Sequence, residues 1–315
     1  MRIVFFGTPE FAVPSFKALL AAGFEVAAVV TQPDKPQGRS RSTLHPSPVK
    51  LIAADLDIPV LQPAKPVGDV FEQTLRRFDA DIGVVVAYGH VLRPGVLATP
   101  RMGMINVHAS LLPRLRGAAP IQWSILNGDQ ETGVSIMQME AGLDSGPVYR
   151  AASVPIGADE TGGELAQRLS QVGAVTLIET ITAFNKGPVK PVPQDHALAT
   201  HAPKIERRHC QITWSEGADC CARRIRAFDP EPGAWTTLNG QEIKLFGARI
   251  HQHLELGAGD NGQVPGTVLQ SGERLSISTG HGALMVREVQ PSGKRRMPVA
   301  DWVRGRPVPS GTRFE

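Results

Sequence analysis

The chain has 315 residues and a mass of 33.8 kDa, long for one ordinary domain and suited to two. Apolar residues make up 42% and charged residues 20%, which excludes a disordered chain, and no apolar run is long enough for a membrane-spanning helix. The net charge of +3 is uneven: residues 1–205 hold 18 basic and 18 acidic side chains, residues 206–315 hold 15 and 12.

In chain order, Arg2–Gly7 reads as a short buried strand. Thr8-Pro9-Glu10 then reads as the N-cap, first-turn proline and first-turn acid of a helix to about Ala22, stopped by Gly23. A strand at Glu25–Thr31 follows, and then Gln32–Lys50, a long basic loop that Pro33, Pro36, Gly38, Pro46 and Pro48 keep out of regular structure. Helices are expected near Val49–Ala54 and Val70–Arg77, with a short strand near Val60 and a buried one at Asp81–Ala87. Met104–His108 is a further strand, Ala119–Asn127 a helix, Thr132–Met139 and Val148–Ile156 strands, and Gly162–Phe184 the longest helix. This alternation predicts a mostly parallel sheet covered on both faces, over residues 1–186.

Prolines and glycine then mark residues 187–205 as a linker, and a cut near Pro193 is expected to leave the first domain folded. Residues 206–315 carry a helix at Glu216–Phe228 and short strands at Ala234–Leu238, Ile243–Ile250, Gly266–Leu269, Leu275–Thr279 and Ala283–Gln290. Such spacing predicts a small β-barrel or sandwich. Three cysteines, Cys210, Cys220 and Cys221, suit neither a disulfide framework nor a zinc site. With no signal peptide behind Met1, a reducing cytoplasm is expected.

Several chemistries are disfavoured. Gly7 after the first strand lacks the G-x-G-x-x-G pattern, and Pro9 removes an N–H that a pyrophosphate needs, so a dinucleotide cofactor is not expected. Ser110 lies in no G-x-S-x-G elbow, and His251 with His253 is a weak metal lead. The constellation that stands out is Asn106-Val107-His108. In a strand, residues two apart share a face, so an amide donor and an imidazole project together at the strand's C-terminal end, where open α/β sheets bind ligands. Ser110 to Gly117 is an irregular segment suited to lining a pocket, and Ala141 to Gly146 is a glycine-flanked loop presenting Asp144. Asn, His and Asp together could orient a carbonyl and move a proton. A satisfied structural histidine and a turn-forming aspartate are the plain alternatives, and spacing alone does not join Asp144 to His108.

Asn106-Val107-His108-Ala109-Ser110-Leu111-Leu112-Pro113, with Gly117 to Gln122 and Gly142-Leu143-Asp144, resembles the folate-dependent formyltransferase family. Phe6 to Ala12, Thr31 to Asp34, Pro46 to Lys50, Val85 to Gly89 and Glu131 to Val134 fit as well. In the last third, Arg224 to Phe228, Pro232 to Trp235 and Pro265 to Thr267 narrow the resemblance to the branch acting on tRNA. It implies transfer of formyl from 10-formyltetrahydrofolate to the α-amino group of methionine on initiator methionyl-tRNA, without a metal. It implies a Rossmann-like first domain, an OB-like barrel over residues 206–315, and Asn106, His108 and Asp144 as catalytic residues. It further implies Ser110, Leu111, Leu112, Pro113, Val86, Ala87, Tyr88 and Gly89 around the folate, and a basic loop in which Arg39 and Arg41 grip the acceptor stem. The chain departs from the family at Ser40 to Thr43, at Thr213 before Trp214, and at His201. A cytoplasmic monomer is expected. The alternatives are a formyltransferase for a small amine, which needs neither the basic loop nor the second domain, and an RNA-binding module with a dead transferase domain, which would not need an intact Asn106, His108 and Asp144.

Overall fold

The computed structural model describes residues 1–37, 43–251 and 264–315; Gly38, Arg39, Ser40, Arg41 and Ser42 of the basic loop, and His253, lie outside the described residues. The chain forms two compact units. One comprises Met1–Pro120, Glu131–Pro155 and Ala166–Pro203, the other Ile121–Gln130, Ile156–Leu165 and Lys204–Glu315.

The first unit is built on β1 (Arg2–Gly7), β2 (Glu25–Val30), a pair β3 (Lys35–Gln37) and β4 (Thr43–His45), then β5 (Val60–Leu61), β6 (Ile82–Val86), β7 (Met104–His108), β8 (Glu131–Gln138) and β9 (Val148–Pro155). Seven of these make one sheet in the order β5-β2-β1-β6-β7-β8-β9. It is parallel from β5 to β7, while β8 and β9 are antiparallel. The expected mostly parallel, Rossmann-like sheet is therefore present. Its central strands are buried on both faces: every residue of β6 is buried, as are Ile3 to Gly7 of β1. That double burial is why these strands read as unbroken apolar runs rather than alternating ones. The strand order reverses between β1 and β6, and the crevice beyond the carboxyl ends of strands at such a reversal is where open sheets take ligands.

Two local expectations are corrected. Lys35 pairs with His45 and Pro36 with Leu44, so the basic loop contains a two-stranded ladder rather than lacking regular structure. Proline is tolerated there because an isolated ribbon leaves an outward edge on which the missing N–H costs no bond. Thr8 does not cap the first helix. Its hydroxyl donates to the Tyr88 carbonyl at 3.2 Å, while the chain enters a 3-10 turn at Glu10–Ala12 and an α-helix at Val13–Ala21 with no side-chain cap. The Gly7 turn is a closely packed strand-to-helix turn. A β-carbon there would stand 2.6 Å from the Phe5 ring and 2.9 Å from Ala12, so the glycine serves close packing.

The second unit carries the expected short antiparallel strands: β10 (Ala234–Leu238), β11 (Gln241–Phe246), β12 (Arg249–Ile250), β13 (Val268–Ser271), β14 (Leu275–Ser278), β15 (Ala283–Val286), β16 (Glu288–Pro291) and β17 (Met297–Pro298). They form two four-stranded sheets, β10-β11-β16-β17 and β12-β15-β14-β13. Ile243–Ile250 and Ala283–Gln290, each expected as one strand, are each broken, and the two halves enter different sheets. The breaks meet: Gly247 is left-handed at φ +62° beside Arg287, whose N–H bonds the Phe246 carbonyl at 3.3 Å. A glycine corner lets one apolar run serve two sheets.

Candidate active site

β7 presents two faces. Val107 points to the long helix Gly162–Lys186, where a β-carbon on Gly173 would lie 2.9 Å from Val107 Cγ1. Asn106 and His108 therefore share the opposite face, as the period of two requires. Asn106 sits between Val85 of β6 and Met137 of β8, is half-buried, and its side-chain amide has no hydrogen-bond partner among the described residues. An amide held on a rigid strand but left unpaired is available to a ligand.

His108 is 5% exposed. Its Nε2 lies 3.0 Å from the Leu115 carbonyl. A carbonyl can only accept, so Nε2 carries the proton in the neutral ring and Nδ1 is left as the base. Nδ1 faces Asp144 Oδ2 at 3.7 Å. That separation is too long for a hydrogen bond and short enough for charge attraction. The same Oδ2 accepts from the Gly117 N–H at 2.8 Å. Asp144 is left-handed at φ +47°, a conformation that a non-glycine residue keeps only when its surroundings impose it. The structure thus brings Asp144 to His108, which sequence spacing alone could not do.

The segment after β7 is pinned from within. Ser110 is fully buried; its hydroxyl donates to the Arg114 carbonyl at 2.7 Å and its carbonyl accepts from Ser135 Oγ at 2.8 Å. Ser135 Oγ also accepts from the Leu112 N–H at 3.1 Å. The Ser110 side chain thereby shapes the segment, while Leu111, Leu112 and Pro113 are half-buried and offer apolar surface. Val86 ends β6 and is buried; beyond it Ala87 and Gly89 are exposed in left-handed conformation, and Tyr88 is 1% exposed. Tyr88 packs edge-on against Phe6, its hydroxyl has no partner among the described residues, and burial pushes its pKa up to about 12. It serves the core with its ring and the site with its backbone: the Tyr88 carbonyl accepts from Thr8 and from Gln32 Nε2 at 2.9 Å.

Gln32 begins a polar network at the root of the basic loop. Gln62 Nε2 reaches the Gln32 carbonyl at 3.0 Å and Asp34 Oδ1 at 2.7 Å, and Lys50 Nζ meets Asp34 Oδ2 at 2.6 Å. The bonds from Lys50 and Gln62 hold the Asp34 carboxyl below its ordinary range. Lys50 stands out in sequence only as a basic residue of the loop and Gln62 not at all; an amide and a lysine among prolines carry no local signal of a partner this far along the chain. Gln194 and Arg116 likewise enter the site only in three dimensions. Arg116 is 7% exposed and Gln194 is buried from the expected linker. That linker packs within the first unit: Val192 pairs with Val148, Thr200 accepts from the Leu115 and Arg116 N–H groups, and the Ala202 N–H bonds the Arg116 carbonyl at 2.7 Å. A cut near Pro193 would strip the Thr200 and Ala202 bonds from the segment that holds His108, so it is not the neutral break expected from the prolines.

The second unit contains a cavity of about 630 Å³ whose walls include Arg223, Arg226, Arg249, Arg274 and Arg287, with Asp129, Asp159 and Asp219. Arg223 pairs with Asp219 at 2.8 Å and Arg249 with Asp159 at 3.2 Å. Arg226 donates to the Glu160 carbonyl at 2.8 Å, and burial holds its guanidinium below its ordinary range against the opposing charges of Asp159 and Glu160.

A family model described as formyl transferase matches residues 1–181, and one described as formyl transferase, C-terminal domain, matches residues 204–307. The methionyl-tRNA formyltransferase of Synechococcus sp. (strain JA-3-3Ab) is 45% identical over 322 residues, covering 100% of this chain and 98% of that protein. That of Methylococcus capsulatus (strain ATCC 33009 / NCIMB 11132 / Bath) is 45% identical over 303 residues, covering 96% of each chain. Among solved structures, HypX from Aquifex aeolicus in complex with tetrahydrofolic acid is similar in fold, with a TM-score of 0.67 at 20% identity, over 96% of this chain and 47% of that one. Methionyl-tRNA formyltransferase from Clostridium thermocellum shares the fold at a TM-score of 0.59 and 14% identity, over 80% of this chain and 95% of that one.

Proposed function

The chain belongs to the formyl transferase family, and from that premise we propose that it transfers the formyl group of 10-formyltetrahydrofolate to the methionine α-amino group of initiator methionyl-tRNA. The observation that carries the chemistry is the His108–Asp144 approach at 3.7 Å, on the face of β7 shared by the Asn106 amide, which has no partner among the described residues. The folate fits the half-buried apolar surface of Leu111 to Pro113 and the open backbone of Ala87 and Gly89.

Each residue has a definite task. Asn106 donates to the formyl oxygen as it gains negative charge, which typically contributes ~3 kcal/mol of barrier lowering. The attacking amine must be neutral and loses a proton as its nitrogen bonds the formyl carbon. His108 Nδ1 takes that proton, and the carboxylate of Asp144 faces the resulting imidazolium. The proton then returns to the folate nitrogen as its bond to the formyl carbon breaks, so that tetrahydrofolate and the N-formyl product leave with atoms balanced. The buried Leu115 carbonyl fixes the ring's tautomer throughout.

An RNA partner is supported by the basic loop, whose root is tied down by Asp34, Lys50 and Gln62, and by the arginine-lined cavity of the second unit. Guanidinium groups match phosphate geometry, and five arginines outnumber the three aspartates on that cavity's wall. Arg39 and Arg41 are assigned to the acceptor stem. No described helix is long and apolar enough to cross a membrane; cytoplasmic location and a monomeric state complete the proposal, the latter checked by light scattering. The functional test is a formylation assay with methionyl-tRNA and small amines side by side. Formyl appearing on the amino acid of the tRNA is expected; preferential formylation of a sugar amine would replace the proposal with the small-acceptor reading.

A further inference from the structure

We propose that Gln194 is a positioning residue that holds the Asp144 carboxylate in place against His108. The inference rests on the formyl-transfer reading of this site. Gln194 lies in the proline-marked segment between the expected domains, is 9% exposed, and makes four hydrogen bonds. Its Nε2 donates to the Asp144 carbonyl at 2.9 Å and to the Gly146 carbonyl at 2.6 Å. Its Oε1 accepts from Arg116 Nε at 3.1 Å and Nη2 at 2.7 Å.

Only an amide satisfies both ends. Arginine has donors alone, so the end facing Arg116 must accept; the Asp144 and Gly146 carbonyls accept alone, so the other end must donate. The Gln194 side chain therefore ties the loop that presents Asp144 to the segment that carries Leu115, Arg116 and Gly117. Those neighbours matter directly: Leu115 supplies the carbonyl on His108 Nε2 and Gly117 the N–H on Asp144 Oδ2. Gln194 is itself located by the reciprocal Val148–Val192 bonds, each 2.8 Å. Arg116 completes the brace by donating to His196 Nδ1 at 3.0 Å. The brace also explains how Asp144 is kept at φ +47°, since its carbonyl is fixed from outside its own loop. Gly146 itself packs closely on β8: a β-carbon there would lie 2.0 Å from the Gln138 carbonyl.

The test uses the full chain with Gln194→Glu and Gln194→Met. Glutamate keeps the size and the Arg116 contact but turns a donor into an acceptor against two carbonyls. Methionine keeps the volume and removes both ends. In both, kcat for methionyl-tRNA formylation is expected to fall at least about tenfold, with KM for both substrates within about threefold of the parent, since misplacement rather than lost binding is the cause. The thermal midpoint of Gln194→Glu is expected to hold, because the Arg116 contact becomes an ion pair. Combined with Asp144→Asn, Gln194→Glu should add little further loss, as for two changes acting through one group. A kcat within about twofold of the parent in the folded variants, a loss that merely follows the folded fraction, or full multiplication of the two effects would overturn the inference. The parent chain is assayed first: if it does not formylate methionyl-tRNA, the proposed function fails, whereas an active parent with an unaffected Gln194→Glu removes this inference alone.

Discussion

Asp144→Asn isolates one charge. The same atom, Oδ2, accepts from the Gly117 N–H at 2.8 Å and faces His108 Nδ1 at 3.7 Å. An asparagine that keeps the Gly117 bond must place its carbonyl oxygen there, so shape and hydrogen bond survive and only the negative charge facing the imidazole is lost. Two unit charges at this distance attract by about 4 kcal/mol at an effective dielectric constant of ~20. The aspartate side chain is only 13% exposed, so solvent does little to screen it. Part of that attraction is offset by the neutral dipole that remains, leaving roughly 3 kcal/mol, or about a 10²- to 10³-fold fall in kcat. Single-turnover formylation of methionyl-tRNA at saturating formyl donor measures it without interference from product release. KM should stay within about threefold, because neither substrate is bound through this carboxylate. A kcat within about fivefold of the parent would refute the role of Asp144 as the counter-charge.

Other outcomes follow from the same geometry. Asn106→Ala, which removes an unpaired amide from a rigid strand, should lower kcat by about 10²- to 10³-fold while circular dichroism and thermal midpoint stay unchanged; an unaltered kcat would leave the oxyanion without its assigned donor. Arg39→Ala and Arg41→Ala should each weaken methionyl-tRNA use and lower the slope of log affinity against log salt by about one, with no change in KM for the formyl donor. Unchanged salt dependence would make the loop a bystander. Tyr88→Phe deletes a buried hydroxyl without a partner among the described residues, and should raise stability by ~1 kcal/mol, seen as a rise of a few degrees in thermal midpoint; a fall would mean the hydroxyl is satisfied in solution.

The sequence by itself determined the features governed by short-range rules. Apolar runs separated by helix signals specify the parallel sheet, because strands covered on both faces lose their alternation. The period of two put Asn106 and His108 on one face of β7, and the structure keeps them there with Val107 turned to the long helix. The Ser110 to Pro113 segment was legible as irregular, although its serine proves to brace the backbone from inside. Short-range rules misjudged the ladder of β3 and β4, since a proline signals a break without telling whether its missing N–H faces a partner or solvent. They also merged strands that turn a corner at Gly247, where one apolar run supplies two sheets. Only the tertiary structure decided which groups meet across long sequence separations. Asp144 reaches His108 over 36 positions, Gln194 reaches Asp144 over 50, and Arg116 reaches Gln194 over 78. Each residue type is common and carries no mark of its partner, because a hydrogen bond or an ion pair depends on where packed elements bring two groups, and that placement is fixed by the whole core rather than by neighbours along the chain.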